Sequence, residues 1–140
     1  MTTKELSVIK GQCLCGALRF KIHGSLGDVI VCHCKECQRF HGYLGAYTFT
    51  DRENLEMIAD ESLTWYPSLR EPWVKKGFCS LCGSSLFSVN TNATMIAIAA
   101  GVLDPPTGLS IKGHVWMTQA GDYYCVNDGK PQMQEKWEPA

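Results

Sequence analysis

Val31-Cys32-His33-Cys34-Lys35-Glu36-Cys37-Gln38-Arg39-Phe40-His41-Gly42 carries a cysteine triple spaced Cys-x-Cys-x-x-Cys. Two smaller pairs flank it, Cys13-Leu14-Cys15-Gly16 upstream and Cys79-Ser80-Leu81-Cys82-Gly83 downstream. Of the eight cysteines only Cys125 stands apart from these clusters. The clustered set is odd in number, so disulfides would leave one thiol over. It divides naturally into a closed four-thiolate metal site and an open three-thiolate one.

The composition sets the frame for that reading. At 140 residues and 45% apolar content the chain is long enough for one domain with a real core. A net charge of -1 gives no basic stripe to neutralise phosphates, so neither nucleic acid nor an anionic membrane is an expected partner. Met1 to Lys10 is polar and lacks the apolar core of a signal peptide, and the longest apolar run, Ala93 to Leu103, is too short to span a bilayer. A soluble, cytoplasmic protein is expected. In a reducing compartment eight cysteines point to metal ligation rather than disulfides.

The rest of the chain reads as short strands. Leu6 to Lys10 and Ala17 to Ile22 alternate apolar and polar residues, and Val29 to Cys32 leads an apolar strand into the central triple. Cys34 to His41 suits a short helical turn stopped by Gly42. Tyr43 to Thr50, Leu63 to Tyr66, Ser85 to Val89, Thr94 to Ala100 and Lys112 to Met117 read as further strands, with Trp73 to Phe78 leading into the downstream pair. The acidic stretch Asp51 to Glu61 reads as a solvated hairpin edge, Pro67 to Pro72 as a loop, and everything from Thr118 onward as a surface wrap. The expected class is mostly β, a single domain with little helix spanning residues 1–140.

Zinc favours thiolates in tetrahedral geometry, and structural sites are closed by four protein ligands. A Cys-x-x-Cys-Gly knuckle supplies two, and the upstream pair, ending in the same Leu-Cys-Gly, is its natural partner. Cys13, Cys15, Cys79 and Cys82 are therefore expected to hold a structural zinc, which can contribute on the order of 10 kcal/mol to folding. Cys32, Cys34 and Cys37 would hold a second ion with its fourth position open, the pattern of a catalytic site. The alternatives are closure of that site by His33, His41 or His114, or pairing of the triple with an outer pair. His33 lies between two ligands and on an extended segment points to the opposite face.

Taken together, Cys-x-Cys-Gly, Cys-His-Cys-x-x-Cys and Phe-Cys-x-x-Cys-Gly-Ser resemble the glutathione-dependent formaldehyde-activating enzyme and centromere protein V family. Cys37-Gln38-Arg39 with Gly42, Gly101-Val102-Leu103-Asp104-Pro105 and His114-Val115-Trp116 extend the resemblance from about Gln12 to Trp116. The resemblance implies a single zinc-bound, mostly β domain of coiled antiparallel sheets with its core at about 12–117, similar to the zinc-binding domain of guanine-nucleotide-release chaperones. It implies two zinc ions per chain, structural on Cys13, Cys15, Cys79 and Cys82 and catalytic on Cys32, Cys34 and Cys37. The activity it implies is a carbon-sulfur lyase reaction, condensing formaldehyde with glutathione to S-hydroxymethylglutathione. Lys76 stands where members often carry an arginine, and Tyr66-Pro67-Ser68 keeps one of the serines common after the tyrosine.

On this reading the partners are an aldehyde and a small thiol such as glutathione, with a homodimer left open. Three thiolates make the ion a weak Lewis acid, which favours activation of the thiol over polarisation of the carbonyl. His33, His41 and His114 are the histidines within reach as proton donors. Two other readings compete: a non-catalytic zinc module that captures a thiol ligand or a protein partner, and a reductase using Cys125. The apolar setting Tyr123-Tyr124-Cys125-Val126 argues for an inert thiol.

Overall fold

Ten strands and one short helix account for the regular structure of the computed structural model, which describes residues 8–138. The polar N-terminus up to Ser7, including the first residues of the strand expected from Leu6, lies outside the described residues.

A three-stranded antiparallel sheet comprises β1 (Val8–Gln12), β2 (Arg19–His23) and β5 (Leu55–Ala59) in the order β1-β2-β5. The larger sheet has seven strands: β3 (Val29–Cys32), β4 (Gly45–Asp51), β6 (Leu63–Pro67), β7 (Val74–Cys79), β8 (Ser85–Asn90), β9 (Met95–Ala99) and β10 (Ile111–Val115). Their order is β10-β3-β4-β9-β8-β7-β6. The mostly-β expectation holds, with one departure from antiparallel pairing. β10 runs parallel to β3, matching Ile111 with Val29 and Val115 with Cys32. The long path from β3 round the molecule makes that parallel return possible, whereas a tight hairpin would force the antiparallel sense.

The two-residue period of the strands gives the large sheet two different faces. One carries Phe87, Ile96 and Ile98 against Phe20 and Ile22 of the small sheet and Leu18 just before it. Phe20 and Phe87 meet edge to face across this interior, their centroids 5.4 Å apart. Gly11 permits the contact, because a Cβ there would stand 2.3 Å from the Phe20 ring. The opposite face carries Tyr47 and Ala99, which pack on Cys34 and Cys37. Core and cysteine triple thus share one sheet.

The Asp51 to Glu61 stretch is an edge, as expected, but a paired one. A 3-10 turn over Arg52–Asn54 leads into β5, which pairs with β2 and turns Leu55 and Met57 toward the core. The wrap after Thr118 also has structure. It runs back beside β10, His114 N–H donating to Pro131 O at 2.9 Å and Met133 N–H to His114 O at 2.8 Å.

Phe87 is 1% exposed and joins the two sheets. Phe87→Ala is expected to lower unfolding free energy by about 3–5 kcal/mol in a denaturant titration. A loss under about 1 kcal/mol would contradict this packing.

Candidate metal centres and pocket

Cys13-Leu14-Cys15-Gly16 and Cys79-Ser80-Leu81-Cys82-Gly83 fold into two matching turns. Gly16 and Gly83 both take φ of 80°, a left-handed conformation that glycine reaches without strain. Each closes its turn with a backbone bond, Gly16 N–H to Cys13 O at 3.2 Å and Gly83 N–H to Cys79 O at 2.8 Å. Leu14 N–H donates to Ser84 Oγ at 2.9 Å and ties one turn to the other.

The sulfurs of Cys13, Cys15, Cys79 and Cys82 all lie within 4.8 Å of one another. Cys13 and Cys15 are 3.6 Å apart, Cys15 and Cys79 3.9 Å. Zinc–sulfur bonds of about 2.3 Å in a regular tetrahedron put neighbouring sulfurs at about 3.8 Å, so the spacing fits a four-thiolate ion. Donors surround the sulfurs as thiolates require. Leu18 N–H donates to Cys13 Sγ at 3.2 Å. The Ser62 hydroxyl lies 3.3 Å from Cys79 Sγ, and Ser84 Oγ is 3.3 Å from Cys82 Sγ. The Ser84 contact holds Cys82 down at about 5, and the Ser62 contact lowers Cys79 likewise.

The central triple is built differently. Cys32 ends β3, Cys34 caps helix α1 (Lys35–His41), and Cys37 lies in its first turn. The Cys34 sulfur accepts from Cys37 N–H at 3.3 Å, as an N-cap side chain does. Gly42, at φ of 82°, ends the helix where the sequence indicated. Gly45 brings β4 close beneath; a Cβ there would sit 3.0 Å from Cys37 Sγ.

The sulfurs of Cys32, Cys34 and Cys37 also lie within 4.8 Å of one another. Among the described residues this group contains no histidine, and it stays separate from the outer four. Three thiols this close share their protons unequally. Cys34 falls to about 2 because Cys32 and then Cys37 hydrogen-bond to it. Cys32 rises to about 11 and Cys37 rises as well, chiefly through contacts within the group. The cluster favours one thiolate alone and needs a cation to carry three. A borderline-soft ion such as zinc suits that donor set.

Beside the triple lies a cavity of about 180 Å³, lined by Cys32, Cys37, Tyr47, Ser88 and Lys76 among others. It shares Glu36, Arg70 and Lys76 with a larger pocket of about 420 Å³, which adds Lys35, Arg39, Phe40 and Tyr66. The loop after β6 forms one wall. The Glu36 carboxylate accepts from Ser68 Oγ at 2.8 Å and from Leu69 N–H at 2.9 Å, anchoring this loop to the helix. Arg70 lies over the Trp116 ring, 4.6 Å from its centroid. Four cations and one committed carboxylate line the pocket, so it suits an anionic ligand.

Each histidine has its place. His23 pairs with Glu56 on the surface. His41 Nε2 hydrogen-bonds the Tyr47 hydroxyl, and burial followed by the nearby Lys76 lowers His41 to about 4. Burial raises Tyr47 well above the usual phenol range, so it keeps its proton. His33 is buried on the far side of its strand, as the alternation implied, and meets His114 there.

Lys76 is 7% exposed, with Nζ 3.2 Å from Ser88 Oγ. Cys125 is exposed rather than shielded and joins neither cluster, because its apolar neighbours pack with Tyr43 and with each other instead. Sequence reasoning missed the cationic pocket. Its signals, Arg39 and Arg70, are isolated charges that only the loop brings together.

No curated protein sequence matches the chain. A crystal structure of a Rhodobacter sphaeroides protein has a similar fold, with TM-score 0.59 at 21% identity over 89% of this chain and 98% of that one. The family described as glutathione-dependent formaldehyde-activating enzyme matches residues 8–119, a span holding both cysteine clusters, the helix and the cationic pocket. The chain belongs to the glutathione-dependent formaldehyde-activating enzyme family.

Proposed function

We propose that the chain is a single zinc-binding domain acting as a carbon-sulfur lyase-type enzyme in the cytoplasm. It condenses formaldehyde, or a related aldehyde, with glutathione or another small thiol to S-hydroxymethylglutathione or its analogue. The observation that carries this reading is the three-cysteine group, without a fourth protein donor among the described residues, beside a cation-lined pocket. Cys13, Cys15, Cys79 and Cys82 would hold the structural ion, and Cys32, Cys34 and Cys37 the working one.

Held by Cys32, Cys34 and Cys37, a zinc ion would supply a fourth position and lower the pKa of a thiol bound there. The chain's own residues bind and orient. Arg39, Arg70, Lys35 and Lys76 line the pocket in which the carboxylates of glutathione would sit. Trp116 steadies Arg70, and Glu36 holds the loop that carries it. The small cavity beside Cys32 and Cys37 has room for a one-carbon aldehyde, with the Tyr47 hydroxyl and Lys76 on its wall. In the reaction a sulfur–carbon bond forms, the carbonyl π bond becomes an oxygen lone pair, and the thiol proton ends on that oxygen. Tyr47 retains its proton, and its hydroxyl, already paired with His41 Nε2, would lie near the developing alcohol oxygen.

Exchange NMR of formaldehyde with glutathione tests the reaction directly. Zinc-loaded wild type is expected to accelerate exchange above the spontaneous rate, and Cys34→Ser to return it to that rate. Equal rates for the two proteins would refute catalysis and favour a non-catalytic thiol-binding module. Arg70→Ala is expected to raise KM for glutathione by about tenfold, equivalent to about 1.4 kcal/mol, with a smaller change in kcat. An unchanged KM would remove the carboxylates from this pocket.

A further inference from the structure

Cys32-His33-Cys34 supplies two of the three sulfurs of the central group, so whatever fixes His33 also fixes their separation. Every polar group of His33 is engaged. Its N–H donates to Val115 O at 3.0 Å, and its carbonyl accepts from Gln38 Nε2 at 2.7 Å. Its ring Nδ1 lies 2.7 Å from Tyr124 Oη, and Nε2 lies 2.9 Å from His114 Nδ1. His114 Nε2 continues the chain to Asp128 Oδ2 at 2.8 Å.

The direction of the hydrogen bonds along this row is set from its carboxylate end. The hydrogen bond from His114, then that from Lys130 N–H, holds Asp128 below the usual carboxylate range, so it accepts. His114 Nε2–H donates to it, and with one proton on each ring His114 Nδ1 accepts from His33 Nε2–H. His33 Nδ1 is left to accept from the Tyr124 hydroxyl, whose oxygen takes Gly121 N–H at 2.9 Å. Each hydrogen bond in the row fixes the direction of the next.

Gly121, Tyr124 and Asp128 all lie past residue 119, where the family match ends. The chain just after them is laid along β10 by backbone bonds, His114 N–H to Pro131 O at 2.9 Å and Met133 N–H to His114 O at 2.8 Å. We propose that the segment past residue 119 is a positioning element for the central cysteines. Tyr124 and Asp128, acting through His33 and His114, hold Cys32 and Cys34 at the separation a metal ion needs. The inference rests on reading Cys32, Cys34 and Cys37 as a metal site. Hydrogen bonds made to metal-ligating side chains tune metal affinity in this way; here they act on the residue between two ligands.

The test uses the full chain loaded with zinc, following release to a chelator. Tyr124→Phe keeps the ring and removes only the hydroxyl; Asp128→Ala removes the terminal acceptor. Each is expected to speed release from the central site by about tenfold while leaving the four-cysteine site unchanged. Asp128→Glu is expected to restore the slow rate. In cobalt-loaded protein the same two variants should alter the thiolate-to-metal absorption of the central site. Wild type holding one ion, on the outer cysteines alone, would refute the metal reading and this inference together. Two ions with release from the central site unchanged in both variants would overturn the inference alone. Histidine ¹⁵N spectra give a metal-independent check. Both rings should be Nε2–H tautomers, and Asp128→Ala should shift His33 as well as His114. A His33 spectrum insensitive to Asp128 would overturn the relay.

Discussion

Clustered thiols resist ionising together, because each new negative charge is repelled by those beside it. The protein gathers sulfur into two such groups, each within 4.8 Å, and builds its sheets around them. The uneven proton sharing in the central group comes first from hydrogen bonds among its own sulfurs. Cys34 gives up its proton readily while Cys32 and Cys37 hold theirs. A cation that neutralises the thiolates relieves the repulsion, so metal binding and correct folding of these segments are coupled.

The two groups differ in what surrounds them, and that difference assigns their roles in the proposed function. The outer four stand on paired glycine turns tied by Leu14 and Ser84, with protein donors at the sulfurs. They join the start of the chain to its middle and leave no vacancy for a substrate in a tetrahedral shell. The central three lie on the other face of the large sheet, between a strand end and a helix start, beside cationic side chains. One sheet thus provides the core on one side and a reactive setting on the other.

Much of this was legible in local sequence. Cysteine spacing defined both groups, because each pair or triple is a single turn whose geometry depends on adjacent residues. Gly42 marked the helix end for the same reason, and alternation placed the ring of His33 away from the sulfurs. What could not be read depends on distant partners. The parallel pairing of β10 with β3 follows from the path of the chain rather than from either strand. The pairing of β5 with β2 was hidden by acidic residues, which satisfy an exposed edge equally well. Arg39 and Arg70 share a pocket only because Ser68 and Glu36 fasten the loop to the helix. The ordering of His33, His114 and Asp128 needed the segment after residue 119, whose composition suggests only a polar surface wrap.

The central claim is a closed four-cysteine site and an open three-cysteine site, each holding zinc. Elemental analysis of zinc per chain, before and after mild chelation, tests it most directly when circular dichroism is recorded alongside. The account predicts two zinc ions, one removed readily while the β-sheet signal persists and the other held until the fold is lost. A single ion per chain after zinc reconstitution, or two that leave together as the protein unfolds, would contradict it.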